Sequence, residues 1–203
     1  KQSEVKKVLF VIITSNRGLC GGFNNNVIKR AMMATRQEFA GAKISTFSIG
    51  KKGADYFRKM DYDAAFPELG NPSELFDNLK YDRVAPIAER IMKSFAEGEF
   101  DKVVLFYNQF KNAAVQIIQA EQFLPVVPTA KTEGKTTNTD YMFEPTREQI
   151  VLDLIPRSLK TQLYKALLDS HAAEHGARMT AMHKATDNAK EMLRSLRISY
   201  NKA

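Results

Sequence analysis

The sequence predicts an α/β fold, a mostly parallel sheet with flanking helices, followed by a long C-terminal helix. Three observations predict it. Apolar, β-branched runs at 5–14, 43–49 and 101–108 alternate with stretches of helical period, the pattern of a sheet covered on both faces. Glycines close the first runs, at Gly18, Gly21, Gly22 and Gly50. From Thr146 to Ala203 the strand signal stops, and Gly176 is the only glycine. The expected division is an α/β domain over 1–145 and a helical shaft segment over 146–203.

In chain order, Val5 to Thr14 (VKKVLFVIIT) reads as a buried strand, and Phe23 to Ala40 as a helix through Val27, Ile28, Ala31, Met32 and Phe39. Lys43 to Ile49 is a second strand, Lys51 to Met60 a short helix and Tyr62 to Phe66 a short strand. Ser73, behind Pro72, opens a helix running to about Glu97, with Pro86 indenting its middle. Asp101 to Asn108 and Val115 to Leu124 are further strands, and Thr129 to Asp140 (TAKTEGKTTNTD) is a polar loop. Pro156 follows a short helical piece and is placed to start a new helix, because its missing N–H is not needed in a first turn. That helix would reach Ala203 over roughly 70 Å at 1.5 Å per residue.

The 203 residues, 44% hydrophobic, suffice to bury a core. No stretch approaches the roughly 18 apolar residues of a membrane span, and the start at Lys1 carries no apolar leader, so the chain reads as soluble and trimmed. Cys20, the one cysteine, cannot make an internal disulfide, which fits a reducing compartment. A formal charge of +7 favours an acidic partner: nucleic acid, an anionic membrane surface or an acidic protein.

The last helix carries the sharpest pattern. Met182, Ala185, Ala189, Met192, Leu196, Ser199 and Ala203 alternate steps of three and four, the seam of a coiled coil, while Leu159, Leu163 and Leu167 draw an apolar line nearer the domain. Burying each Met or Leu is worth roughly 1.5–3 kcal/mol, so a bare seam is costly. The expectation is a fragment whose partner helix is missing; the alternative is one helix folded back across its own domain.

Several chemistries compete at the level of motif. Gly18, Gly21 and Gly22 follow a strand and precede a helix, where a phosphate can sit. Their spacing fits neither a dinucleotide fingerprint nor a P-loop, and the second strand ends in Gly50-Lys51-Lys52 rather than a carboxylate. A small-molecule or nucleotide site at Gly18–Gly22 is one alternative function. His171-Ala172-Ala173-Glu174-His175 matches H-x-x-E-H, but no third ligand or cleft is specified, and His183 lies round the helix from the pair; no metal and no cofactor is expected. Arg178, Lys184, Lys190, Arg194, Arg197 and Lys202 give the rod a basic surface, so a nucleic-acid binder is the other alternative.

Two long motifs then carry a resemblance. Thr14-Ser15-Asn16-Arg17-Gly18-Leu19-Cys20-Gly21-Gly22 and, far downstream, Ala177-Arg178-Met179-Thr180-Ala181-Met182 with Ala185-Thr186-Asp187-Asn188-Ala189 closely resemble the gamma subunit of F-type ATP synthase. Supporting matches are Ile49 to Gly53, Asn108 with Phe110 and Gln116, Tyr141-Met142-Phe143-Glu144-Pro145, and Tyr200 to Ala203, so the likeness spans the chain. Asn16 departs from the family's usual aspartate and His183 from its usual charged residue, and the dithiol insert of chloroplast members is missing.

The resemblance implies a non-catalytic rotor subunit: a Rossmann-like domain beside an antiparallel coiled coil whose other helix precedes Lys1 and whose last turns follow Ala203. It implies partners in the alpha and beta subunits of the catalytic hexamer, the epsilon subunit and the membrane c-ring, with no nucleic acid and no membrane insertion. It implies a peripheral location on the cytoplasmic face of a bacterial plasma membrane or the equivalent organellar side. Arg178, Met179, Met182, Ala185 and Ala189 become candidate contacts along the shaft, and Tyr141, Phe143 and Glu144 candidate contacts at the foot. Arg178 and the basic line after it are expected to face acidic loops of the catalytic subunits.

Overall fold

The computed structural model describes residues 5–69, 72–126 and 147–202. Strand β1 (Lys7–Ile13) leads through the glycine loop to helix α1 (Phe23–Gln37), then β2 (Lys43–Ile49), α2 (Lys51–Lys59) and the two-residue β3 (Asp63–Ala64). Two 3₁₀ turns, Pro67–Leu69 and Pro72–Asp77, precede α3 (Tyr81–Ala96). A hairpin of β4 (Lys102–Phe110) and β5 (Gln116–Leu124) follows, and then the 56-residue α4 (Arg147–Lys202).

The five strands lie in the order β3-β2-β1-β4-β5, parallel except for the antiparallel β4–β5 pair. β1 sits at the centre with both faces covered, which is why its sequence is apolar without alternation. Val8, Phe10 and Ile12 pack with Val27, Ile28 and Ala31 of α1 and Phe57 of α2. Leu9, Val11 and Ile13 face the other way, onto Val84, Ile87 and Ile91 of α3 and Leu159, Leu163 and Leu167 of α4. The α/β class and its mostly parallel sheet are as the sequence predicts.

Two helix boundaries are not. The segment expected as helix from Ser73 is a 3₁₀ turn, and the α-helix begins only at Tyr81. Arg83 holds the turn from within α3, its Nη1 donating to the carbonyls of Glu74 and Asn78, and the later start leaves Pro86 as the sixth residue of the helix, where it forgoes one bond to the carbonyl of Asp82. Conversely, Pro156 does not start a helix: α4 is already running from Arg147 and continues through it, forgoing one bond to the carbonyl of residue 152. The whole helix is about 84 Å long. The loop expected over 129–140 lies outside the described residues.

The two readings of the last helix each hold for one half. Leu159, Leu163, Ala166, Leu167, Ala173 and Ala177 are buried against the α/β unit, whereas every residue from Met182 to Lys202 is exposed. The seam emerges bare: Met192 and Leu196 are 65% and 61% exposed.

Candidate functional site

The glycine loop is built around Asn24 rather than around a ligand. Asn24 Oδ1 accepts the Ser15 backbone N–H at 2.9 Å, while its Nδ2 donates to Ser15 Oγ at 2.8 Å and to Cys20 Sγ at 3.2 Å. Both ends of the amide are thereby satisfied within the loop, as a buried amide requires. Gly21 adopts a left-handed φ of 58°, and Leu19 does so with a side chain that projects from the loop, 78% exposed. Cys20 is buried with Phe23 against Ala173 and Ala177 of α4, a small apolar cluster rather than a reactive thiol.

A second turn stacks beside the first. Gly53 N–H donates to Thr14 Oγ1 at 2.8 Å and Lys52 N–H to the Ser15 carbonyl at 3.1 Å. Asn16 Oδ1 accepts the Lys51 N–H at 3.1 Å, and Asn16 Nδ2 donates to the Ser73 carbonyl at 2.8 Å. This second bond needs a donor, which an ionised aspartate lacks. The asparagine therefore replaces local charge with a bridge between the glycine loop and the 3₁₀ turn.

Arg178 sits where α4 passes the loop. Its Nη1 lies 2.7 Å from Glu174 Oε1, with both side chains mostly buried, and its Nη2 donates to the Gly18 carbonyl at the long distance of 3.4 Å. The structure thus brings Arg178 to the glycine loop. Met179, Met182, Ala185 and Ala189 lie on the surface of α4 beyond it, Met179 half exposed. Tyr141, Phe143 and Glu144 lie outside the described residues. Lys184, Lys190, Arg194, Arg197 and Lys202 are all exposed along the rod, and a long 4.0 Å contact joins Lys190 to Asp187.

The H-x-x-E-H motif divides its residues between two tasks. His171 stacks on Phe76 and places its Nε2 3.2 Å from that of His175. Burial, and after it the neighbouring His175, push the His171 pKa below its ordinary value, against the smaller pull of Glu174. Glu174 turns to Arg178 instead. Among the described residues no three His, Cys, Asp or Glu side chains converge as a metal site would require, and no helix is long and apolar enough to cross a membrane.

Two features of this junction escape a reading by motif. The Glu174–Arg178 pair has the i, i+4 spacing of a helical ion pair and could have been found from that spacing. The bond from buried Asn108 Nδ2 to the Phe23 carbonyl, 3.1 Å long and spanning 85 residues of sequence, has no local signal.

A family described as ATP synthase matches residues 1–203. The ATP synthase gamma chain of Flavobacterium johnsoniae is 55% identical over 202 residues, covering 100% of this chain and 68% of that protein. The gamma chain of Chlorobaculum tepidum is 43% identical over 208 residues, covering 100% of this chain and 69% of its own length. In fold, a chain from the central stalk and c-ring of the Tetrahymena thermophila mitochondrial ATP synthase matches with a TM-score of 0.63 at 24% identity, over 91% of this chain and 78% of that one. A chain of the Euglena gracilis mitochondrial ATP synthase rotor also gives 0.63, at 20% identity over 98% of this chain and 73% of its own. With the family matching all 203 residues and gamma chains of 55% and 43% identity covering the whole chain, the chain belongs to the gamma-chain family of ATP synthases.

Proposed function

We propose that the chain is a rotor element of the central stalk, coupling rotation of a membrane ring to conformational change in the catalytic subunits, and that it performs no bond chemistry of its own. One observation carries the reading: α4 leaves the α/β body as a rod on which residues 182–202 are all exposed, yet which bears a coiled-coil seam. A second helix of the same protein, outside these 203 residues, covers that seam. The chain divides functionally into a body over 1–145 and a shaft over 146–203, with 159–177 shared between them because they complete the body's core.

An asymmetric rod presents different faces to three otherwise identical catalytic subunits, so each is biased towards a different conformation. The bias equals the difference in contact free energy between conformations, and such coupling is reciprocal: turning drives synthesis, and hydrolysis drives turning. Met179, Met182, Ala185 and Ala189 form the contact surface with the alpha and beta subunits or the second helix. Arg178 joins them through the exposed remainder of its side chain and, with the basic line after it, faces acidic loops of the catalytic subunits. Tyr141, Phe143 and Glu144 meet the epsilon subunit and the c-ring. The protein is peripheral, on the cytoplasmic face of a bacterial membrane or its organellar equivalent.

The test is rotation itself. The full-length protein, assembled with alpha and beta subunits and tagged on the α/β body, should turn a bead when ATP is supplied. ATP hydrolysis by the assembled complex with a stationary tag would refute the rotor reading.

A further inference from the structure

A rotor requires more than a rod attached to a body: torque passes between them only if the helix is prevented from spinning about its own axis. Leu159, Leu163 and Leu167 seat the lower part of α4 in the body's core, but where the helix leaves the body only Ala173 and Ala177 rest on Cys20 and Phe23, and methyl groups on one line offer little lever arm. Polar and backbone contacts on either side of that line supply one. On one flank, Arg178, paired with Glu174 on its own helix, donates to the Gly18 carbonyl of the glycine loop. On the other, the tip of the β4–β5 hairpin presses against the helix. Thr180 Oγ1 donates to the Ala113 carbonyl at 3.1 Å, and Gly176 approaches so closely that a Cβ there would stand 3.0 Å from both Ala113 Cα and its oxygen.

At about 100° per residue, Gly176, Thr180, Ala173, Ala177, Glu174 and Arg178 follow one another around α4 and span about 200° of its circumference. The two jaws are tied together beneath the helix, because Asn108 of β4 donates to the carbonyl of Phe23, just past the glycine loop. The hairpin tip is itself held in shape by Asn112, whose Oδ1 accepts the N–H groups of Ala114 and Val115 at 3.0 and 2.7 Å. The arrangement ends where the rod begins: Lys184, Ala185 and Asn188 still border a groove against the glycine loop and Ala114, and every described residue from Met182 on is exposed.

We propose that the glycine loop and the β4–β5 hairpin form a collar that keys α4 against axial rotation, with Gly176 and Asn112 as its positioning residues. The proposal rests on the rotor reading. It predicts a separation of activities. The shaft end can still engage the catalytic subunits when the collar is loosened, but less torque reaches the body and the ring beneath it.

The experiment uses the complete complex in sealed vesicles and compares ATP hydrolysis with ATP-driven proton pumping. Gly176→Val pushes the hairpin off the helix; Asn112→Ala loosens the hairpin without altering α4. Both should assemble and hydrolyse ATP at the native rate while protons pumped per ATP fall several-fold for Gly176→Val and by less for Asn112→Ala. An unchanged pumping ratio in the assembled Gly176→Val complex overturns the collar; if that variant fails to assemble, an unchanged ratio in Asn112→Ala overturns it. A complex reconstituted without this protein that hydrolyses ATP and pumps as well as the complete one sinks the rotor reading instead.

Discussion

Asn108 and Phe23, 85 residues apart in sequence, are joined by a 3.1 Å hydrogen bond from the asparagine amide to the phenylalanine carbonyl in a fully packed setting. The bond ties strand β4 to the first turn of α1 and fixes the exit of the glycine loop beneath α4. Replacing Asn108 by Leu keeps the bulk but removes this second donor from the Phe23 carbonyl, which keeps its helical bond within α1. The expected loss is about 0.5–1.5 kcal/mol of stability, the net worth of one hydrogen bond. A urea unfolding midpoint equal to that of the native protein would contradict this.

Gly50 makes a sharper prediction. It adopts a φ of 110°, and a Cβ at this position would lie 2.0 Å from the Thr14 carbonyl oxygen. Backbone, not a flexible side-chain end, occupies the space. Gly50→Ala should therefore cost at least about 3 kcal/mol, through strain and displacement of β1 from β2. The same substitution at Gly41, also left-handed but facing open space, should cost markedly less. Equal thermal shifts for the two variants would remove the role given to close approach.

The Glu174–Arg178 pair is shielded enough to exceed an ordinary helical ion pair. A double-mutant cycle of Glu174→Gln and Arg178→Met should give a coupling of about 1–2 kcal/mol, above the 0.3–0.5 kcal/mol of exposed i, i+4 pairs. Arg178→Lys should recover little of it, because a point charge cannot reach the carboxylate and the Gly18 carbonyl together. A coupling within error of zero would place both side chains among solvated surface charges.

His171 links stability to pH. Its folded-state pKa is lowered, chiefly by burial, so as pH falls through the ordinary value of about 6.5 the unfolded chain takes up a proton that the folded chain refuses. Stability contributed by this site is thus complete above about pH 6.5. It declines as pH drops towards the lower folded value and levels off below it. His171→Phe preserves an aromatic ring against Phe76 and removes the titration, so its unfolding free energy should fall less steeply between neutral and mildly acidic pH. Parallel pH profiles for the two proteins would exclude His171 as the source.

How much of this was readable in advance depends on whether the cause is local. The apolar run of β1, the helical stripe of α1 and the seam from Met182 onwards are set by the periodicity of the residues themselves, and each lies where the sequence puts it. The boundary at Ser73 differs because Pro72 and Ser73 satisfy the local rules for a helix start, while Arg83, further along, holds that segment as a 3₁₀ turn. Pro156 was misread in the opposite sense: a single lost bond does not stop a helix whose buried line, Leu159, Leu163 and Leu167, is already docked on the sheet.

The sequence by itself determined the α/β alternation, the family motifs and the existence of an uncovered seam, since spacing along one chain encodes period and face. Only the tertiary structure decided that Glu174 and Arg178 leave the solvated face for the glycine loop, and that Gly176 must be small because Ala113 lies against it. The physical reason is that a helix has many faces but one docking angle, and that angle is set by packing between residues far apart in the chain.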